Sequence, residues 1–365
     1  MTKILTIVGA RPQFIKAAMV SRAILEHNRT GSGPAVEEII IHTGQHYDAN
    51  MSDIFFNQME IPKPTVMLDF GALSHGAMTG RMLEAVEKEI LDRSPDWVLV
   101  YGDTNSTLAG ALSAAKLQVP VAHVEAGLRS FNKAMPEEIN RILTDHTSNR
   151  LFCPTETAVR NLANEGIIKG VHQVGDVMYD AVLQFGAMAE EASTILEELK
   201  LTPKGYLLAT VHRQENTDER ERLESIFSAF IDIATDTHPL IIPLHPRTRN
   251  YVKQYGMEPM LLQNPNLLIT DPLGFLDMIF LEKHASAILT DSGGVQKEAY
   301  FHGVPCITLR NETEWLETID AGWNQLVGAN KDAIIGAMFL AMAGEPIHEY
   351  GNGTASKEIL LSLLE

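Results

Sequence analysis

The chain has 365 residues, more than one ordinary hydrophobic core accommodates, so we expect two domains. Its 45% hydrophobic and 21% charged residues are typical of a globular protein, and its formal charge of −18 argues against nucleic-acid binding, which needs a basic face. The first residues are typical of a strand rather than a signal peptide, and no apolar run has the length of a membrane span. The two cysteines, Cys153 and Cys306, lie in apolar surroundings, so we expect a cytoplasmic protein with buried thiols.

Strands alternate with helices through the first half of the chain. Lys3–Val8 is a predicted strand, which Gly9-Ala-Arg-Pro connects to a helix; this pattern is Rossmann-like, although Gly-x-Gly-x-x-Gly is absent. Pro136, followed by two glutamates, predicts another helix start. Such alternation is typical of a parallel, doubly wound sheet. The other predicted elements are strands at 38–42, 96–101, 119–124 and 150–154 and helices at 71–89 and 108–117.

The same pattern begins again near Val171. A polar, acidic helix is predicted to end at about Leu199, and a last helix is predicted at 356–364. We therefore predict an α/β fold in which two Rossmann-like domains follow one another, joined near residues 170–185. Strands of the second half are predicted at 206–211, 240–244, 267–270, 287–289 and 304–309.

A phosphate cradle is predicted in the stretch Ala287–Tyr300. Its apolar beginning is a buried strand, and Ser292-Gly-Gly then opens a helix. The start of a helix offers unpaired backbone N–H groups and the positive end of the helix dipole, and glycines leave room for an incoming group. A tight strand-to-helix turn without a ligand is the alternative explanation.

Polar residues recur immediately after predicted strands in both halves. Any one of them has an ordinary structural explanation, but in parallel sheets this edge is where ligands bind. If the two sheets face each other with these edges inward, the residues converge on one cleft between the domains. The residues are Arg11, Asp103, Glu125, His212, His245, Ser292 and Arg310.

These side chains suit two different roles, phosphate binding and proton transfer. Ser292, Gly293 and Gly294, together with Arg11, suit a diphosphate, whereas other members of the set suit proton transfer. The chain has no Gly-x-x-x-x-Gly-Lys-[Ser/Thr] for ATP hydrolysis, no Gly-x-Ser-x-Gly elbow and no recognisable metal-binding motif. The candidates for proton transfer are Asp103, Glu125, Glu137 and His212.

Six segments resemble the non-hydrolysing UDP-N-acetylglucosamine 2-epimerases. The resemblance runs from about residue 3 to about residue 340, with the segments in matching order and spacing, which makes it highly specific. The segments are Ile7–Lys16, Gly102–Thr107, His123–Arg129, Pro136–Arg141, His212–Asn216 and Asp291–Glu298.

The resemblance implies a glycosyltransferase-B-like fold, in which two Rossmann-like domains face each other across a cleft. Residues 1–172 would form the sugar-side domain and residues 173–345 the UDP-binding domain, while a C-terminal helix at about 346–365 would pack back on the first. It also implies a UDP-sugar substrate, a homodimer, and inversion at C2 without NAD, metal or another cofactor.

The implied reaction breaks the anomeric C1–O bond, expels UDP and removes the C2 proton, which leaves a 2-acetamidoglucal intermediate. Reprotonation from the other face and return of UDP give the epimer, so that UDP-N-acetylglucosamine becomes UDP-N-acetylmannosamine. This chemistry needs a carboxylate on each face of the ring and positive groups around the leaving diphosphate.

Residues are assigned to roles by their match to the family's segments. Asp96, Glu125, Glu137 and His212 match catalytic positions. Asp96 begins a predicted strand, far from its carboxyl end, so Asp103, which the residue pattern favours, stays a second candidate. The residues that match nucleotide or diphosphate positions are Arg11, Lys16, Arg141, Ser292, Gly293, Gly294 and Glu298.

Two departures from the family's pattern concern the substrate. Thr313-Glu-Trp-Leu-Glu317 stands where Thr-Glu-Arg-Pro-Glu is usual, so Trp315 replaces an arginine that contacts the site, and the loop 130–135 is shorter. The segment 308–324 looks more like a sister group that epimerises UDP-2,3-diacetamido-2,3-dideoxy-glucuronate. A changed pocket would suit a different C3 or C6 substituent, whereas neutral drift would leave the substrate unchanged.

Three other functions stay open on the sequence alone. They are a hydrolysing epimerase, a retaining glycosyltransferase of the same fold, and a sensor that binds a UDP-sugar without catalysis. A sensor would keep the Ser292-Gly-Gly cradle but would not need Glu125, Glu137 and His212 together.

Overall fold

The fold consists of two compact units. A computed structural model describes residues 1–31, 33–45, 62–71 and 73–365. Unit 1 comprises residues 1–183 and 348–365, and unit 2 comprises residues 184–347. Each unit is built on one parallel sheet with helices, so the predicted α/β class with two Rossmann-like domains is confirmed. None of the described helices has both the length and the apolar character that crossing a membrane requires.

In its described part, unit 1 contains a seven-stranded sheet with the order β3-β2-β1-β4-β5-β6-β7, and each described pair is parallel. Apolar residues of the central strands, such as Leu5, Ile7, Val98 and Val100, are buried, as both faces of a parallel sheet require. The elements are β1 Thr2–Val8, α1 Arg11–Thr30, β2 Val36–His42, β3 Val66–Met67, α2 His75–Arg93, β4 Trp97–Tyr101, α3 Asn105–Lys116, β5 Val121–Val124, α4 Pro136–Thr147, β6 Arg150–Cys153, α5 Glu156–Asn164, β7 Val171–Gln173 and α6 Val177–Ala192.

Unit 2 contains a six-stranded parallel sheet with the order β10-β9-β8-β11-β12-β13. Its elements are α7 Ile195–Glu198, β8 Leu207–Thr210, α8 Gln214–Thr217, α9 Arg220–Ile233, β9 Leu240–Pro243, α10 Pro246–Gln254, α11 Glu258–Leu261, β10 Leu267–Thr270, α12 Phe275–His284, β11 Ala287–Thr290, α13 Gly293–Phe301, β12 Cys306–Thr308, α14 Leu316–Asp320, β13 Asn324–Leu326 and α15 Lys331–Leu340.

The last helix, α16 Ala355–Leu364, belongs to unit 1, where it contacts α1. The buried carboxylate of Asp180 accepts hydrogen bonds from the backbone N–H groups of Ala355 and Ser356 at 3.2 and 2.8 Å and from the Ser356 hydroxyl at 2.7 Å. It therefore satisfies donors at the start of α16 that the helix itself leaves unpaired. The boundary between the units lies after residue 183, within α6, rather than after residue 172.

The sequence predicted most strands and the longer helices of unit 1, but it missed β3, β7 and β13 and four helices of unit 2, α9, α10, α12 and α15. Strands β7 and β13 have three residues each, too few to show the alternation that marks a strand. Both cysteines are buried and free, as expected.

The loops after β1 and β4 are held together by one side chain, Gln13. Its Oε1 accepts the N–H groups of Gly9 and Ala10 at 2.8 and 3.0 Å, and its Nε2 donates to the Tyr101 carbonyl at 2.7 Å. Gly9 is required here because a Cβ atom would collide with the hydroxyls of Thr43 and Ser106. These contacts fix the carboxyl edge of the sheet, where the candidate residues of unit 1 lie.

Candidate active site

At the carboxyl edge of unit 1, Lys16 of α1 forms an ion pair with Glu125, the residue after β5. The side chains are only 8% and 11% exposed, so each charge depends on the other. Glu125 has a φ of 71°, a left-handed conformation that residues other than glycine seldom adopt. Its N–H and that of Ala126 both donate to the Phe152 carbonyl, at 3.0 and 3.1 Å, which holds the loop in this shape.

The ion pair borders a cavity of about 10 Å³, which is the space of one water molecule. Asp176, which is 2% exposed, also lines it, and its Oδ1 accepts the N–H of Met178 at 2.8 Å. The sequence analysis did not select Asp176. The signal that could have revealed it is its position directly after the Val174-Gly pair, just beyond β7.

Arg141 of α4 joins the loop after β4 to the loop that precedes α4. Its Nη2 donates to Asp103 Oδ2 at 2.6 Å and its Nη1 to Glu138 Oε2 at 2.9 Å. Glu138 is 1% exposed and also accepts the N–H groups of Ser130 and Phe131 at 2.9 and 3.0 Å. Glu138 is therefore fully engaged in holding the loop.

Glu137, the neighbouring acid, is half-buried, and among the described residues it has no hydrogen bond or ion pair. Of the two glutamates that follow Pro136, Glu137 is therefore the one whose carboxylate is not committed to the fold. Glu137 therefore stays a candidate for proton transfer, as the sequence predicts.

The structure places Asp96 away from Glu125, Glu137 and Asp103. Asp96 is exposed at the amino end of β4, where its Oδ2 accepts the N–H of Lys3 at 2.7 Å and its own N–H donates to the Lys3 carbonyl at 2.9 Å. Because β1, β4 and β5 are parallel, their amino ends lie at the opposite edge from Glu125. Asp103 follows the carboxyl end of β4 and therefore lies at the same edge of the sheet as Glu125.

Arg11 is the candidate that follows β1. Its backbone begins α1, directly after the carboxyl end of β1. Its side chain lies outside the described part of the structure.

In unit 2, Asp291 organises the carboxyl ends of β8 and β11. This fully buried carboxylate accepts the N–H groups of His212 and Arg213, each at 3.0 Å, and the Asn216 side-chain amide at 3.0 Å. His212 Nδ1 lies 3.5 Å from Asp291 Oδ1. Burial lowers the pKa of His212, Asp291 opposes this shift and Arg213 adds to it, so that the imidazole is neutral near pH 7 and can accept a proton.

Beside this cluster, Ser292 is the N-cap of α13, and its side chain makes no capping hydrogen bond within the described chain. The helix begins at Gly293 and Gly294. A Cβ atom on Gly293 would lie 3.6 Å from Arg213 Nη2, so the guanidinium lies next to the helix start. Backbone N–H groups, the helix dipole and an arginine together form a strong site for phosphate oxygens. Arg213 was missed as an individual residue, although it lies within the segment His212–Asn216.

Arg310 and Trp315 lie behind the start of α13 rather than at the surface. Arg310 is 1% exposed, and its Nη1 and Nη2 donate to Glu314 at 3.2 and 3.3 Å. Trp315 is 4% exposed, and the ammonium of the buried Lys297 lies 3.9 Å from the centre of its ring. The indole Nε1 would be 3.8 Å from a Cβ atom on Gly293. Both side chains thus shape the wall beside the helix start.

His245 and Glu298 complete the set in unit 2. His245 is exposed after β9, its ring centre lies 5.6 Å from that of His212, and its Nδ1 accepts the Arg247 N–H at 3.2 Å at the start of α10. Glu298 is half-buried on α13. Unit 1 therefore presents carboxylates paired with cations, which suit proton transfer, and unit 2 presents a neutral imidazole beside an anion-binding helix start.

Comparison with known proteins gives one consistent family. A family model described as UDP-N-acetylglucosamine 2-epimerase matches residues 29–364. A UDP-N-acetylglucosamine 2-epimerase homolog of Methanococcus maripaludis is 54% identical, and the UDP-2,3-diacetamido-2,3-dideoxy-D-glucuronate 2-epimerase of Pseudomonas aeruginosa is 51% identical; each match covers 98% of both chains. The crystal structure of Methanocaldococcus jannaschii UDP-GlcNAc 2-epimerase with UDP-GlcNAc and UDP is 42% identical, with a TM-score of 0.89 over 100% of this chain and 99% of that one.

The role of Asp291 in shaping unit 2 can be tested by replacing it with asparagine. We expect Asp291→Asn to lower the free energy of unfolding by about 1–3 kcal/mol at pH 7, because the new amide nitrogen must face N–H donors without an acceptor. Urea unfolding measures the change. Asp320→Asn, an exposed position on α14, is the matched control and should change the value by less than about 0.5 kcal/mol. Equal effects of the two substitutions would contradict the assignment.

Proposed function

The chain belongs to the UDP-N-acetylglucosamine 2-epimerase family, and we propose that it inverts C2 of a UDP-2-acetamido sugar without hydrolysing it, converting UDP-N-acetylglucosamine to UDP-N-acetylmannosamine. An epimerase is an isomerase, so the protein is an enzyme of that class. The observation that carries the proposal is the buried Lys16–Glu125 pair at the carboxyl edge of unit 1. It provides a carboxylate whose position is fixed before the substrate arrives.

The first half of the reaction separates UDP from the sugar. The C1–O bond breaks and its electron pair leaves with UDP, while a carboxylate removes the C2 proton and the C2–H electrons form a C1=C2 double bond. The product is a 2-acetamidoglucal. We assign the leaving diphosphate to Ser292, Gly293 and Gly294 with Arg213, since N–H donors and a guanidinium stabilise the negative charge that develops there.

The second half re-forms the C1–O bond and leaves C2 with the opposite configuration. A proton is delivered to C2 from the other face, and a diphosphate oxygen attacks C1. Two proton carriers are therefore needed, and we assign Glu125 as one of them. Glu137 and Asp103 are the candidates for the other, since both belong to the same edge of unit 1 as Glu125. His212, with its lowered pKa, is assigned to proton transfer near the diphosphate.

A second candidate substrate is UDP-2,3-diacetamido-2,3-dideoxy-glucuronate, with its manno epimer as the product. The observation that favours it is the 51% identity to the Pseudomonas aeruginosa enzyme with that name, which is higher than the 42% to the Methanocaldococcus jannaschii UDP-GlcNAc 2-epimerase; the UDP-N-acetylglucosamine 2-epimerase homolog of Methanococcus maripaludis, at 54%, favours the first substrate. Within the site, Trp315 is the residue that departs from the family's usual pattern. A buried indole beside Gly293 changes the wall of the site without adding the positive charge of the usual arginine.

The setting of the enzyme is part of the proposal. We place it in the cytoplasm, where UDP-sugars are made, and in the biosynthesis of a surface polysaccharide.

We also propose a homodimer. Ile139 and Leu143 are each 46% exposed and lie one helical turn apart on α4, so they form an apolar stripe that a second copy could cover.

The reaction and its substrate can be tested together in D2O. We expect the epimerised product to carry one solvent deuterium at C2, because the C2 proton exchanges during elimination and return. Mass spectrometry of each UDP-sugar after incubation gives the label, and kcat/KM for the two sugars identifies the preferred one. An epimer without deuterium would exclude the elimination route. Release of a free sugar with UDP would indicate a hydrolysing enzyme, and transfer to an acceptor would indicate a glycosyltransferase.

The role of Glu125 can be tested with Glu125→Gln. We expect kcat to fall at least about 100-fold, the usual contribution of a general base, while UDP binding measured by calorimetry stays unchanged because UDP is assigned to unit 2. Glu191→Gln, an exposed position on α6, is the control and should leave kcat unaltered. If Glu125→Gln abolished UDP binding as well, Glu125 would have a structural role instead.

The dimer can be tested with Ile139→Lys combined with Leu143→Lys. We expect light scattering to show twice the 40.3 kDa chain mass for the original protein and a single chain mass for the double variant, since two charges within the stripe oppose its burial. Leu262→Lys, at a position 83% exposed in unit 2, is the control and should remain dimeric. A single chain mass for the original protein would rule the homodimer out.

A further inference from the structure

Unit 1 contains a buried set of charged side chains that the reaction above does not use. His123 of β5, Asp145 of α4, Arg129 and Glu165 form it, and we call it the His123 network. His123 and the Asp145 side chain are fully buried, and Arg129 is 4% exposed. The only half-exposed member is Glu165, whose two oxygens accept from Arg129 Nε and Nη2 at 2.7 and 2.8 Å.

Both ring nitrogens of His123 face groups that accept hydrogen bonds. Nδ1 lies 2.7 Å from Asp145 Oδ1, and Nε2 lies 2.7 Å from the carbonyl oxygen of Gly102. A carbonyl oxygen has no proton to give, so Nε2 must donate to Gly102. The protonation of Asp145 therefore decides the state of Nδ1.

Asp145 is surrounded by donors. Its Oδ2 accepts from Arg129 Nη1 at 2.7 Å and from the N–H of Gly127 at 3.1 Å. Burial by itself would raise the pKa of Asp145, but the hydrogen bonds and charges of His123 and Arg129 outweigh burial and lower it. An ionised Asp145 accepts from Nδ1 too, so the ring carries two protons and a positive charge.

The charges of the network then cancel. His123 and Arg129 contribute two positive charges, and Asp145 and Glu165 contribute two negative charges. A neutral ring would leave a nitrogen lone pair facing a carboxylate or a carbonyl in a site without exposure, which is costly. The other titratable groups that face the network are His146, which lies 3.2 Å from Glu165, and the buried Cys153 thiol, whose pKa burial and Asp145 raise.

The network holds the two loops that carry the candidate proton carriers. Gly102 immediately precedes Asp103, and its carbonyl is fixed by His123. Gly127, two residues after Glu125, is fixed by Asp145. A Cβ atom on Gly102 would lie 3.3 Å from Glu125 Oε2, so these loops touch next to the carboxylate. His123 is thus one link of a rigid frame between Asp103 and Glu125.

We propose that His123 is a positioning residue: an imidazole that donates from both ring nitrogens, clamps the Gly102 carbonyl to Asp145 and so sets Glu125 and Asp103 in register for proton transfer at C2. The inference rests on the proposed epimerase function. His123 acts through these loops and does not itself touch the substrate.

Two substitutions separate the two hydrogen bonds of His123. In His123→Asn the amide nitrogen can replace Nδ1 and keep the bond to Asp145, but it cannot reach Gly102. In His123→Gln the amide nitrogen can replace Nε2 and keep the bond to Gly102. Both variants lose the charge and some stability. We expect kcat for epimerisation to fall at least about tenfold further in His123→Asn than in His123→Gln, with similar KM, because misplacing a reacting group by about 1 Å can cost about 100-fold.

Thr144→Val is the control, since Thr144 is equally buried beside Asp145 and its hydroxyl finds no partner among the described residues. It should leave kcat unchanged. If kcat fell equally in His123→Asn and His123→Gln, in step with their melting temperatures, His123 would be a structural residue and the positioning role would be overturned.

The charge of His123 has its own measurement, which does not depend on activity. In protein labelled with 15N-histidine, we expect one imidazole signal, absent from His123→Gln, in which both ring nitrogens carry a hydrogen-bonded proton, because both nitrogens face acceptors at 2.7 Å. A proton on only one ring nitrogen of that signal would overturn the clamp, which needs both hydrogen bonds. This NMR signal does not depend on turnover. It therefore still tests the role of His123 if the protein shows no epimerase activity.

Discussion

A carboxylate that is withdrawn from water needs positive partners or N–H donors, and this need organises the candidate site in each unit. Removing an ionised group from water costs several kcal/mol unless opposite charge or N–H donors replace the lost hydration. Glu125 has Lys16, Asp103 and Glu138 share Arg141, and Asp145 has His123 and Arg129. The fold therefore fixes these groups in place before any substrate is present, which is the condition for efficient proton transfer.

Unit 2 meets the same need in a different way. Asp291 is balanced mainly by backbone N–H groups of His212 and Arg213, so the carboxylate shapes the loop after β8 rather than pairing with one cation. That leaves the Arg213 guanidinium beside Gly293 and the donors at the start of α13 oriented for an anion. A negatively charged molecule such as a diphosphate is the natural partner of this arrangement.

One departure from the family's usual pattern, Trp315, lies beside that anion-binding helix start. The side chains buried there are Trp315, Lys297 and the Arg310–Glu314 pair. A substitution at any of them therefore changes the packing of the wall beside the helix start as well as a single contact. Such a wall can alter which sugar is preferred while the diphosphate grip and the proton carriers stay the same. The proposed reaction and the proposed substrate preference therefore depend on different parts of the chain.

Sequence alone determined the α/β class, the order of the main strands and helices, and the positions where chemistry begins. These features depend on local signals: apolar runs, Pro136 at a helix start, and Gly293-Gly294 after a strand. The tertiary structure decided which residues share an edge. It separated Asp96 from Asp103, which a strand of five residues places at opposite edges of the sheet, and it showed Glu138 buried while Glu137 is not. It also brought His123 to Asp145, which is 22 residues away. Contacts at such separations leave no periodic trace in the sequence, because they depend on how strands pair and helices pack.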